Sequence, residues 1–237
     1  FGMSSVGVYF MVVTFVGIFM SMLMKNGKAK NWFLTIAGFG LVFFGLTVIS
    51  NCSNHFKNNE MIKTILGTAI KPSFIEPIVL MLIGAVITAI MQSSTAVNAV
   101  LLSMVAAGIG IGSGGNAILY IVLGTNIGTC VTALISSAGA TTNAKRAALI
   151  HFLFNFCGSV LFLIVLMIWK DFMSGFWQNA IKSPEMQLAL FHLTFNSICT
   201  LIFLPLTGVI VKVTELLIKE KHVEEEIRIT YMDERML

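Results

Sequence analysis

Long apolar runs broken by short polar islands dominate this chain. Residues 3–24 and 32–50 carry no charge, and each is about 20 residues long, enough for a helix to cross a hydrocarbon layer of roughly 30 Å. Lys25, Lys28 and Lys30 crowd the join between them, which marks that side as cytoplasmic and places the N-terminus outside. Residues 51–74 turn polar, with His55, Lys57, Glu60, Lys63 and Lys71, and are expected at the outer interface. From 75 to 140 the only charged residue is Glu76, yet polar or Gly-rich islands interrupt the stretch at 92–95, 108–116 and 124–129. As helices, 75–91 would reach about 25 Å and 96–107 about 18 Å, so the second falls short of spanning. The pattern predicts a re-entrant helical hairpin over 75–108. Residues 117–140 are long enough to cross, but Gly124-Thr125-Asn126-Ile127-Gly128-Thr129 lies near their middle. Two glycines and small hydroxyl residues weaken a continuous helix there, so a discontinuous helix with an unwound centre is expected. Residues 147–169 and 187–211 read as ordinary spans, followed by a charged, helix-prone tail from 212. Trp32, Trp169 and Trp177 fall at the predicted boundaries, where an amphipathic ring is favoured.

Composition agrees with this picture. Of 237 residues, 57% are hydrophobic and 11% charged, against roughly 25% charged in a soluble domain. Too few charges remain to clothe a soluble surface, so the fold class is an all-α polytopic membrane protein with its exterior in a lipid bilayer. The net charge of +4 is small and scattered, which excludes nucleic acid as a partner and leaves the basic residues as topology signals. With the hairpin returning to its own side, the inner face receives ten of the fifteen Lys and Arg residues, including Lys145, Arg146 and five in the tail. The C-terminus is therefore expected in the cytoplasm and the chain in the cell membrane. Cys52, Cys130, Cys157 and Cys199 show no C-x-x-C or metal-ligand spacing and say nothing of redox compartment. Residues 1–24 lack the basic n-region of a signal peptide and begin with Phe, and the chain is expected to be a piece of something longer.

Candidate chemistry sits in the polar islands. Gln92-Ser93-Ser94-Thr95 places four hydrogen-bonding side chains in a row inside an apolar hairpin. An unsatisfied polar group in lipid costs several kcal/mol, so the run must face protein, water or a ligand. Ser94 or Thr95 is a natural N-cap for a helix starting near Ala96, and a helix N-terminus offers free N–H groups and about half a positive charge to an anion. A half-helix that starts at membrane depth is a common way to build a transporter's substrate site. A lone Ser would more often bond a neighbouring carbonyl, but four such residues at a hairpin tip favour a ligand. In the second island, Thr125, Asn126 and Thr129 offer oxygens suited to a hard monovalent cation; helix packing through small residues is the competing reading. No Arg or Lys lies between 72 and 140, so an anion bound here must draw its countercharge from helix ends and co-bound cations. A cation-coupled symporter of an anion meets that condition.

His151-Phe152-Leu153-Phe154-Asn155 and His192-Leu193-Thr194-Phe195-Asn196 share the form H-x-x-F-N, with His and Asn on one helix face. Intramembrane His is a functional-site hypothesis by default, but interhelical hydrogen bonding is the favoured role for His151, Asn155, His192 and Asn196, as supporting residues rather than a proton relay. Gly110, Gly112 and Gly115 match G-x-G-x-x-G without the βαβ context that a dinucleotide site needs. Asn51-Cys52-Ser53 fits a glycosylation sequon on the predicted outer side and matters only in a eukaryote. An intramembrane hydrolase built on Ser113 and a His is disfavoured because Ile111 stands where such a protease has Gly, so the chain is not expected to be an enzyme. A passive anion channel or non-transporting membrane scaffold is the remaining alternative.

Together, QSST at 92–95, GTNIGTCVTALISSAGA at 124–140, AKRAALIHFLFNFCGS at 144–159 and HLTFN at 192–196 resemble the type II sodium/phosphate cotransporter family, in particular its bacterial members, over about 32–213. The resemblance implies sodium-driven uptake of inorganic phosphate by a protein with two inverted repeats. This chain resembles the second repeat (32–213), preceded by the last span of the first with its basic loop (1–31) and followed by a charged cytoplasmic tail (214–237). It implies that Gln92, Ser93, Ser94, Thr95, Thr125 and Asn126 bind phosphate, while Gln92, Ser94, Thr95, Asn126 and Thr129 bind sodium. Thr95 stands where a third Ser is commoner. Only one QSST and one GTNIGT occur here, so the missing first repeat is an implied partner. The tail is similar to the lead-in of a PhoU-like cytoplasmic domain.

Overall fold

The structure is a computed structural model that describes residues 5–57, 74–109, 112 and 114–219. Most of the expected outer segment (58–73), the end of the tail (220–237), and Gly110 and Ser113 of the two disfavoured motifs lie outside the described residues. Helices α1 (Ser5–Leu23) and α2 (Gly27–Lys57) form an antiparallel pair. Gly17 sits against Ala37, Gly40 sits against Thr14, and the Phe10 and Phe43 rings stack with centroids 5.0 Å apart. The Asn26 side chain caps α2 by accepting from Lys28 N at 3.0 Å. Lys28 and Lys30 therefore lie in its first turn rather than in a loop. At its far end α2 runs seven residues past the expected limit at 50, because no Gly or Pro interrupts 46–57. Asn51 and Cys52 of the sequon are consequently helical.

Helices α3 (Glu76–Met91) and α4 (Ser94–Ala106) join through Gln92 and Ser93, within two residues of the expected hairpin limits. At 16 and 13 residues they measure about 24 and 20 Å, each short of a bilayer core. Helix α5 (Ala117–Ser137) follows, then α6 (Thr142–Ile168), a π-helical turn (Phe172–Trp177) running into Gln178–Ala180, α7 (Pro184–Phe203) and α8 (Thr207–Leu217). Among the described residues α1, α2, α5, α6 and α7 are the five helices long and apolar enough to cross a membrane. The chain is an all-α polytopic membrane protein.

Two expectations are corrected. Helix α5 is continuous from Ala117 to Ser137, so 117–140 is no discontinuous helix and Gly124–Thr129 is not unwound. The glycines serve close packing instead. A Cβ at Gly124 would stand 1.9 Å from Met81 O, one at Gly128 2.5 Å from Ala85 O, and one at Gly84 2.2 Å from Ile121 O. α3 and α5 thus lie parallel and in backbone contact along a seam that only glycine permits. The hydroxyls are accommodated inside the helix: Thr125 Oγ1 donates to Val122 O at 2.8 Å and Thr129 Oγ1 to Asn126 O at 2.5 Å. The expected last span, 187–211, also ends early. Pro205 cannot donate to Leu201 O, α7 stops at Phe203, and α8 continues along α6, where Arg146 Nε donates to Ile218 O at 3.1 Å.

The core lies between the hairpin, α5, α6 and α7, where Leu80, Leu119, Val122, Leu123, Leu166, Phe191 and Phe195 are almost wholly excluded from solvent. Phe162 meets Phe195 edge-on at 4.9 Å, an arrangement worth about 1 kcal/mol beyond its buried area. Asn116 locks one end of the bundle, donating to Leu166 O and Trp169 O and accepting from Met173 N. Trp177 is packed there too, its Nε1 donating to Gln187 O at 2.7 Å.

Candidate functional site at the hairpin tip

Gln92 ends α3 in the left-handed region at φ 54°, with its N–H returned to Thr88 O. That conformation lets the chain reverse in two residues. The expected cap at Ser94 or Thr95 is shifted by one: Ser93 is the N-cap of α4, its Oγ accepting from Ala96 N at 3.2 Å. The N–H groups of Ser94 and Thr95 therefore precede the first intrahelical bond and, with the helix dipole, make the tip weakly electropositive. Ser94 is half-buried and Thr95 exposed. Glu76 ends up at the opposite end of α3, about 24 Å away, beside Gly112 and the start of α5. No charged side chain of 75–140 stands at the tip.

The residues one turn to either side of the tip dock on the Gly124–Thr129 segment. Thr88 packs against Gly128, where a Cβ would stand 2.6 Å from Thr88 Cβ. On the return helix, Asn98 Oδ1 lies 3.5 Å from Thr125 Oγ1 and Asn98 Nδ2 lies 2.9 Å from His192 Nδ1. Asn126 Nδ2 donates to Asn196 Oδ1 at 3.0 Å, and Asn196 Nδ2 donates to His192 O at 2.8 Å. One polar network thus ties α4, α5 and α7 together, reached from the tip through Asn98, one turn into α4.

The H-x-x-F-N echo splits across α5. Asn196 and His192 join the network on one side. On the other, Asn155 Nδ2 donates to His151 O at 3.0 Å and to Cys130 Sγ at 3.3 Å, while the His151 side chain is exposed. Asn126 and Cys130, the two anchor points on α5, are one helical turn apart. His192 makes the expected interhelical hydrogen bond, and Asn155 makes one in place of His151.

Asn98 and Thr88 were not singled out by sequence reasoning, because each stands alone in a stretch that reads as apolar. The usable signal was spacing: Asn98 is four residues after Ser94 and shares its face, and Thr88 is four before Gln92. Thr88 carries a further distinction. Its Oγ1 is the only fully buried side-chain N or O atom among the described residues with no hydrogen-bond partner, a state that costs about 1–3 kcal/mol.

A family model described as Na+/Pi-cotransporter matches residues 57–182, 126 of the 237 residues. The Bacillus subtilis (strain 168) protein named "Uncharacterized protein YqeW" is 37% identical over 141 residues, covering 60% of this chain and 44% of that protein. The "Putative inorganic phosphate export protein YjbB" of Escherichia coli (strain K12) is 25% identical over 224 residues, 94% of this chain and 39% of that protein. The chain thus spans less than half the length of these curated relatives. No solved structure matches it.

Proposed function

Since the chain belongs to the Na+/Pi-cotransporter family, we propose that it forms part of a sodium-coupled carrier of inorganic phosphate in the cell membrane, with the substrate held at the hairpin tip. The observation that carries this reading is the tip itself. A helix N-terminus is flanked by Ser and Thr hydroxyls, with Ser93 and Ser94 half-buried and Gln92 and Thr95 exposed, and has no basic side chain from its own hairpin. Phosphate there accepts from the Ser94 and Thr95 N–H groups and from the Gln92, Ser93, Ser94 and Thr95 side chains. Thr125 and Asn126 border the site through Asn98. The half charge of one helix end cannot balance a phosphate anion, so co-bound sodium supplies the rest, held by Gln92, Ser94, Thr95, Asn126 and Thr129. Both ions are cargo, and the protein's part is to bind, orient and release them rather than to catalyse a reaction.

The direction of net flux follows the sum of the sodium and phosphate gradients. A steep inward sodium gradient drives uptake, and a high internal phosphate with little sodium gradient drives export, the activity in the Escherichia coli relative's name. The second inverted repeat is the proposed identity of 32–213, and the remainder of the carrier, with a first repeat and a PhoU-like cytoplasmic domain, is the proposed partner. A site at a repeat interface takes one element from each half. Labelled phosphate uptake into proteoliposomes is therefore expected with an inward sodium gradient and the other repeat present, and not with residues 1–237 alone. Equal uptake with choline replacing sodium would remove the coupling and favour a passive channel.

Orientation follows from the basic residues. Lys28, Lys145 and the tail from Lys212 are proposed to face the cytoplasm, with the N-terminus and residues 51–74 and 170–186 outside. Single cysteines at 60 and 145, placed in a cysteine-free background, should label with an impermeant thiol reagent from opposite faces. Labelling of both from one face would refute the hairpin parity.

A further inference from the structure

We infer that Thr88 Oγ1 is a ligand of a dehydrated monovalent cation seated between α3 and α5, an inference that rests on the sodium-coupled reading above. Most helical threonines elsewhere among the described residues satisfy their hydroxyls locally, and those that do not, Thr95, Thr142 and Thr194, are not buried. Thr14, Thr35 and Thr47 donate to the carbonyl four residues back, and Thr125, Thr129 and Thr132 to the one three back. Thr88 lies in the last turn of α3, where helical threonines commonly donate to the carbonyl three or four residues back, yet it makes no such bond, and it is 0% exposed. A buried hydroxyl that forgoes its cheapest partner is held for something else.

Its surroundings indicate what. Thr88 packs on Gly128 through its carbon atoms, with Cβ 2.6 Å and Cγ2 3.1 Å from where a Gly128 Cβ would be, and Ala85 O lies 2.5 Å from the same point. The polar atom nearest that point is thus a carbonyl oxygen, Ala85 O, which repels an anion and attracts a cation. A tetrahedral anion with its several acceptor oxygens would need N–H donors and room that a fully enclosed position between two glycine-packed helices lacks. One turn further on are Gln92 and the start of α4, and across the seam is Gly128, so a small cation at Thr88 lies just beneath the phosphate proposed at the tip. There it supplies the countercharge that the hairpin's own residues do not.

The test compares thermal unfolding midpoints of the full-length protein in detergent, in sodium chloride and in choline chloride at equal ionic strength, for the parent, Thr88→Val and Thr88→Ser. Binding to the native state alone raises the midpoint. The parent and Thr88→Ser are expected to gain stability in sodium. Thr88→Val should lose that gain while melting in choline at or above the parent's midpoint, because an unpartnered hydroxyl has been exchanged for a methyl group. A sodium gain undiminished in Thr88→Val would overturn the assignment. So would a large drop of that variant in choline, which would mean that the hydroxyl holds a structural water. A parent insensitive to sodium would instead defeat the sodium-coupled reading itself, and this inference with it.

Discussion

Replacing Gly124 by Ala is expected to destabilise the protein by about 3 kcal/mol or more, at or above the upper end for an overpacked core. The new methyl group would stand 1.9 Å from Met81 O and 2.8 Å from Ala85 N. Both are backbone atoms of α3 that cannot swing aside as a side chain would, so the two helices must separate by more than 1 Å along the whole seam. That separation would also withdraw Thr88 from Gly128 and Asn98 from Thr125, dismantling the site from behind. Gly45 is the matched control, since nothing lies within 4 Å of its Cβ position. There Ala should be neutral or stabilising by up to about 1 kcal/mol, because Gly is the poorer helix former. Thermal midpoints in detergent distinguish the two. A Gly124→Ala protein that melts with the parent would mean that the seam is open and that the segment has the freedom of an unwound helix after all.

The second large effect is functional. Ser94→Ala is expected to weaken phosphate binding and transport by roughly 5- to 150-fold, the loss of one ligand hydrogen bond of about 1–3 kcal/mol, with little change in stability. Ser93→Ala should differ in kind. Ser93 Oγ caps α4, so this variant should lose about 1 kcal/mol of stability on top of any loss in binding. The double variant should abolish sodium-dependent phosphate binding. Binding unchanged in Ser94→Ala and in the double variant would show that the hydroxyls serve only the fold. Phosphate binding measured beside thermal midpoints for all three variants separates a ligand role from a capping role residue by residue.

The long uncharged runs and the basic clusters at 25–30 and 145–146 were enough to establish the polytopic helical class, because exclusion of charge from hydrocarbon acts on each residue regardless of its neighbours. The helix–turn–helix was legible for a related reason: two apolar pieces, each too short to span, are separated by Gln92-Ser93-Ser94-Thr95, whose small polar residues favour a turn and a new N-cap there. What the glycines of Gly124–Thr129 do was not legible. Isolated helix propensity argues for unwinding, but the close approach of α3 outweighs it, and that approach depends on Gly84, 40 residues away in sequence. The same holds for Asn98, Thr88 and the parting of the two H-x-x-F-N motifs. Each is a single polar residue in an apolar helix, and only packing decides whether it meets Thr125, Gly128 or lipid. Transfer from water to lipid is a property of each segment and can be read along the chain, whereas close packing and hydrogen-bond pairing are properties of pairs distant in sequence and come into being only when the helices meet.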